Sequence, residues 1–204
     1  GEDRERYREG DLQDEEAALG AYDGLLALVD DVDALRFVQA WASRHDDPRR
    51  LADALGRLAR NESDVAERRD LWLERGRILR TQLDDPRAAL DAFEEALAVE
   101  PDYGPALDEL LVASELAGDS ARVARVLEHK LTLGTTQPKS ALAQLADLYE
   151  GPLDDPARAV NALARWASAA PHDAVPLRRL RAQYQRQERP AELLQVLDAL
   201  ARCE

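Results

Sequence analysis

Apolar and small residues recur along this chain at intervals of three and four, the spacing of one helix face. The clearest stretch runs from Leu83 to Pro101, where Ala89, Leu90, Phe93, Ala96 and Leu97 form one stripe. Asp85 stands where a helix needs an N-terminal cap, and Pro86 takes the first helical position, where its missing N–H costs nothing. Acidic residues ahead of the first turn favour the positive end of the helix dipole. Pro101 ends the run. The pattern returns from Leu153 to Trp166, offset by 70 residues, with Asp154, Asp155 and Pro156 in the same order and Pro171 in the place of Pro101. Half that offset is 35, and a weaker copy lies there, from Asp119 to Leu127. A chain that repeats at this period is an array of small units, each needing its neighbours to bury its apolar face.

The repeated starts are Glu15, Pro48, Pro86, Ser120, Pro156 and Pro190, spaced 33, 38, 34, 36 and 34 residues apart. Between them lie further apolar stripes: Leu35, Val38 and Trp41; Leu71, Trp72, Ile78 and Leu79; Leu107, Leu110 and Leu111; Leu142, Leu145 and Leu148; Leu177, Leu180 and Tyr184. Each unit is therefore two helices, and the short connections make neighbours antiparallel hairpins. The spacing predicts about eleven helices. The first runs to about Val29; Tyr103-Gly104-Pro105 reads as a turn and Gly134 to Pro138 as a loop. Residues 1–10 read as a charged N-terminal arm, and 11–204 as a single repeat domain of about five helix pairs. No alternating strand pattern and no glycine-rich phosphate loop interrupts the series.

Composition narrows this further. The 204 residues are 45% hydrophobic, 33% charged and 5% aromatic, a balance that favours helices over strands. No apolar run approaches the roughly 18 residues needed to span a membrane. Gly1 opens a charged segment, Glu2-Asp3-Arg4-Glu5-Arg6, which is no signal peptide. With no Met, the sequence reads as a piece of a longer chain whose native N-terminus is absent. Cys203, the single cysteine, can form no internal disulfide and no cysteine metal cluster, and cytoplasmic placement is the expectation. The formal charge of −14 repels phosphate and anionic lipid, so neither nucleic acid nor membrane insertion is expected.

Candidate chemistry is sparse. His45, His129 and His172 are far apart, and in a repeat array such distance usually means distance in space. The Asp-Asp-Pro runs at 46–48, 84–86 and 154–156 resemble carboxylate pairs, but helix capping accounts for them. Trp41, Trp72 and Trp166 fall on apolar stripes and are expected in the core. Cys203 has no nucleophile context. The expectation is a protein that is not an enzyme, with no catalytic residue, metal or cofactor.

The period and pattern resemble the tetratricopeptide repeat (TPR), a helix pair of about 34 residues. Ala89, Phe93, Ala96 and Pro101 match that family's small–aromatic–small–proline positions, and Ala159, Leu163, Trp166 and Pro171 match again with bulkier residues. Trp72 and Gly76 match its first-helix tryptophan and glycine; Leu111, Leu145 and Arg181 stand at the glycine position of other units, which are degenerate. The resemblance implies an all-α, right-handed α-α superhelix, a TPR-like solenoid of antiparallel hairpins. It also implies that the first helix of each pair lines a concave groove. Carrying the groove positions across gives Arg36 and Arg44; Arg77 and Arg80; Asp108 and Glu115; Lys139, Leu142 and Tyr149; then Arg178 and Arg186. Basic residues are common there although the chain is acidic, so a protein or peptide partner, an acidic segment in particular, is the implied ligand. The implied function is a non-enzymatic protein-protein interaction scaffold.

The alternative is a structural or assembly module, or a spacer of a larger bacterial complex or multi-domain protein, that associates end to end. It is motivated by the last helix. Leu193, Leu194, Val196, Leu197, Leu200 and Ala201 wrap more than half of its circumference, where a terminal repeat needs a polar outer face. A homo-oligomer through the C-terminal helix follows from that reading.

Overall fold

The computed structural model describes residues 15–203. Among them there are eleven helices and no strand. The described part of α1 covers 15–26, ending three residues short of Val29. Then follow α2 (Val32–Arg44), α3 (Pro48–Asn61), α4 (Val65–Thr81), α5 (Pro86–Val99), α6 (Gly104–Leu116), α7 (Ser120–Leu133), α8 (Pro138–Glu150), α9 (Pro156–Ala169), α10 (Ala174–Arg186) and α11 (Pro190–Ala201). Gly104 and Pro105, expected in a turn, instead open α6, since a proline in the first turn loses no helical hydrogen bond. The charged arm expected over 1–10 lies outside the described residues.

The chain divides into two compact units between Ala117 and Gly118. In the first, α2 packs on α3, α3 on α4, α4 on α5 and α5 on α6. In the second, α7 packs on α8, α8 on α9, α9 on α10 and α10 on α11. Each unit is thus a stack of hairpins built from neighbours in sequence.

One turn, used five times, starts the second helix of every pair. Asp46, Asp84, Gly118, Asp154 and Glu188 all have positive φ, between 44° and 69°. This left-handed residue reverses the chain, and the next residue begins the new helix. At four of the five turns that next residue is aspartate. Asp47, Asp85, Asp119 and Asp155 accept the backbone N–H of the residue three further on at 3.1, 3.0, 2.9 and 3.0 Å. Each bond satisfies a donor that the first helical turn leaves open, which is why the Asp-Asp-Pro runs recur. Arg189 occupies the fifth place and makes no such cap.

The hairpins close on small residues. Ala89, Ala92, Phe93 and Ala96 of α5 are all 0% exposed. Gly76 of α4 lies under the Phe93 ring, and a Cβ built there would overlap three of its ring carbons. Glycine is therefore required by the depth of the aromatic side chain, not by backbone conformation. Gly76 lies ten residues before Pro86; ten before Pro156 is Ala146, not Leu145. Ala146 and Leu163, the counterparts of Gly76 and Phe93, are both 0% exposed. A slightly larger floor accompanies a smaller side chain. Trp72 and Trp166 are buried and Trp41 is half-buried, stacked on His45 with centroids 4.2 Å apart.

Candidate functional site

The polar side chains sort by which helix faces which. In the first unit, Arg36 of α2 reaches Glu67 of α4 and lies 3.5 Å from Glu62, the residue capping the end of α3. Arg77 and Arg80 of α4 converge on Glu109 of α6 at 2.8 and 2.6 Å. Arg44 of α2 reaches back to Glu15 at 2.7 Å. In the second unit Lys139 of α8 meets Asp173, the N-cap of α10, at 2.9 Å. Successive first helices are thus joined by ion pairs: Arg36 links α2 to α4, and Arg77 and Arg80 link α4 to α6.

The remaining candidates divide. Arg178 and Arg186 on α10 are exposed and make no ion pair among the described residues. Tyr149 is 3% exposed and does not join them. Its ring points between α7 and α9, with the Arg158 guanidinium 5.8 Å above it. It lines an open groove of about 820 Å³ whose walls carry Arg125, Arg158 and Arg165.

Other participants were not singled out from the sequence. Arg179 of α10 bonds Glu150 at 2.6 Å and Asp147 at 2.7 Å, and Gln183 donates to the same Glu150 at 2.7 Å. Arg69 bonds Asp70 at 2.8 Å and Glu100 at 2.5 Å and lies 3.9 Å over the Tyr103 ring. Those two carboxylates, Asp70 first, raise the Arg69 pKa above the ordinary guanidinium value. A signal for them existed: Arg36 to Glu67, Arg69 to Glu100 and Arg77 to Glu109 are 31, 31 and 32 residues apart. A basic residue and an acid separated by nearly one repeat length fall side by side on stacked hairpins.

These pairs are half-exposed surface contacts, each contributing little to stability. Their effect is to set charge. Arg57 bonds Asp30 at 2.5 Å and holds its carboxyl below the ordinary aspartate value, and Lys139 does the same for Asp173. Among the described residues no three His, Cys, Asp or Glu side chains converge as a metal site, and no helix is long and apolar enough to cross a membrane. His45 Nδ1 donates to the Trp41 carbonyl of its own helix at 2.9 Å, and Cys203 Sγ lies 3.4 Å from Pro171 O.

No family model matches the chain, and no curated protein matches it. Solved structures do. MamA 41-end from Desulfovibrio magneticus RS-1 is 16% identical, covering 84% of this chain and 94% of its own, at a TM-score of 0.44. A MamA structure from AMB-1 is 14% identical over 84% of this chain and 90% of its own, at 0.46. YrrB, described as a TPR protein with an unusual peptide-binding site, is 17% identical over 89% and 91%, at 0.43. Likeness at this level transfers no function. The chain's own packing is what defines it: with Gly76 seated under Phe93 and the same turn opening each second helix, this is an all-α repeat of TPR-like helix hairpins.

Proposed function

We propose that this protein is a non-enzymatic interaction scaffold whose first helices present a basic stripe to a protein or peptide partner. The observation that supports the reading is the run of ion pairs that Arg36, Arg77 and Arg80 make from α2 to α4 and from α4 to α6. Arg44 belongs to the same helix, and Lys139, Arg178 and Arg186 supply the stripe of the second unit. An acidic segment is the fitting ligand, because its carboxylates can replace Glu109 or Glu67 on the guanidinium forks at little net cost. The exchange is electrostatic at an exposed surface, so binding weakens as salt rises. The lone cysteine suits a reducing compartment such as the cytoplasm.

The test is affinity capture with the wild-type chain and with Arg77→Glu/Arg80→Glu. A specific partner present with the first and lost with the second supports the reading. A partner retained by the double variant removes the stripe from the interaction.

A second reading has its own observation. On α11 only Val196 and Leu200 are buried, while Leu194 is 64% and Leu197 40% exposed. That apolar face fits self-association through the C-terminal helix. Sedimentation over a range of concentrations should show dimers that Leu194→Glu abolishes; a wild-type chain monomeric throughout excludes this mode.

A further inference from the structure

Within each unit, one first helix meets the next at recurring places. Counted back from the start of the second helix, these are six, nine and twelve residues earlier. Arg36, twelve before Pro48, reaches Glu67. Arg77 and Arg80, nine and six before Pro86, reach Glu109 at 2.8 and 2.6 Å. Asp147 and Glu150, nine and six before Pro156, are met by Arg179 at 2.7 and 2.6 Å. On α10 the same three places hold Arg178, Arg181 and Tyr184. Both arginines are exposed and make no ion pair among the described residues. The helix itself carries no Asp or Glu. Of the acids at its two ends, Asp173 is held by Lys139 at 2.9 Å, and Glu188 lies in the turn to α11.

The second helices keep a register of their own. Seven places after their starts stand Leu55, Phe93, Leu127 and Leu163, all 2% exposed or less. Four places after stand Ala52, Leu90 and Ala124, which are buried, and Val160, which is half-buried. In α11 these two places are Leu197 and Leu194, and both are exposed. The difference is what comes next. A first helix follows and packs on each of the others: α4 on α3, α6 on α5, α8 on α7 and α10 on α9. Among the described residues none follows α11. The exposed leucines and the exposed arginines thus stand where a following first helix finds its core and its ion pairs elsewhere in the chain.

We propose that the α10–α11 face docks an acidic amphipathic helix of a partner protein, with its apolar side over Leu194 and Leu197 and its carboxylates on Arg178 and Arg181. The chain's own α6 shows the mode, packing on α5 while Glu109 meets Arg77 and Arg80. Charge selects this occupant over a second copy. A two-fold pairing of the face with itself sets Arg178 and Arg181 toward their own images. Of the two α11 carboxylates, Glu192 is already held by Arg189 at 2.6 Å, which leaves Asp198 alone to offset them. The proposal rests on the scaffold reading and gives its partner a place and a chemistry, without using Arg77 or Arg80.

The probe is a fluorescein-labelled synthetic peptide with the sequence of residues 104–117, the helix that fills the equivalent seat on α4 and α5. Binding is followed by anisotropy at low salt and located by hydrogen exchange. The variants are Arg178→Glu/Arg181→Glu for the charged half and Leu197→Glu for the apolar half. All three positions are exposed, and circular dichroism checks the fold. A charge-matched control is Arg49→Glu/Arg87→Glu, two exposed arginines elsewhere. Expected are binding by wild type with protection over 178–197 and a loss of about tenfold or more in affinity for both variants. The control and Arg77→Glu/Arg80→Glu should bind nearly as wild type does. Absence of wild-type binding overturns the proposal, and so does equal loss in variants and control. Loss confined to Arg77→Glu/Arg80→Glu overturns it too, while leaving the scaffold reading in place. A wild-type dimer in sedimentation that Leu197→Glu abolishes and Arg178→Glu/Arg181→Glu leaves intact overturns it by giving the face to a second copy.

Discussion

Gly76 and Phe93 offer a quantitative test of how the central hairpin is held. Phe93 is 0% exposed, so truncation to alanine should cost about 3–5 kcal/mol, the usual range for a buried aromatic. Gly76→Ala is more discriminating because two effects oppose each other. Alanine gains about 1 kcal/mol of helix propensity over glycine. Against this, the new methyl overlaps three carbons of a ring that has no exposed side to move into, and overpacking of that kind costs about 1–3 kcal/mol or more. The clash should win, leaving Gly76→Ala less stable by up to about 2 kcal/mol, the difference of those two effects. In a Phe93→Leu background the ring edge is gone, and the pair becomes the one the second unit already uses, Ala146 with Leu163, both fully buried. There Gly76→Ala should be neutral or stabilising, giving a coupling of about 2 kcal/mol in the double-mutant cycle. Urea unfolding should be followed by circular dichroism and tryptophan fluorescence together, because two compact units need not unfold in one step. Equal effects of Gly76→Ala in both backgrounds, or a gain in stability in the wild type, would refute the close approach of α4 and α5.

The repeated turn and the ion pairs give three further expectations. Removing a cap by Asp85→Ala should lower stability by about 1 kcal/mol, read from the urea midpoint. At the left-handed position, Gly118→Ala should cost about 1 kcal/mol although no neighbour obstructs its Cβ, whereas Glu188→Gly should stabilise by a similar amount, both read from thermal unfolding. Asp30 and Asp173 have folded-state pKa values below the ordinary 3.8, so their pairs stabilise the fold above that value and are lost as pH falls through the lowered one. A carboxyl NMR titration checks this: Lys139→Ala should move Asp173 upward and leave Asp30 in place.

Most of the architecture was legible in the sequence because it is local. Helix starts follow from a cap and a proline within four residues, and the period follows from counting those starts. That is why the starts of α5 at Pro86 and α9 at Pro156 can be read without coordinates. The Gly76 and Phe93 pair was legible too, since both stand at positions that a hairpin of this period brings together. The first misreadings were also local: Gly104 and Pro105 suit a turn as well as they suit a helix start.

What the sequence could not decide is the environment of side chains whose partners lie a repeat away. Arg36, Arg77 and Lys139 read as available cations, yet Glu67, Glu109 and Asp173 stand against them, because stacking places residues about 30 positions apart in contact. Tyr149 reads as a position on a first-helix face, and only the spread of α7 from α9 turns its ring into a groove floor. A shift of one residue along a helix turns a side chain through about 100°, so Ala146 rather than Leu145 lies at the counterpart of Gly76. Periodicity alone identifies the elements and their order. Which charges remain to meet a partner is settled by how one hairpin lies against the next, a matter of tertiary packing that no single stretch of the chain contains.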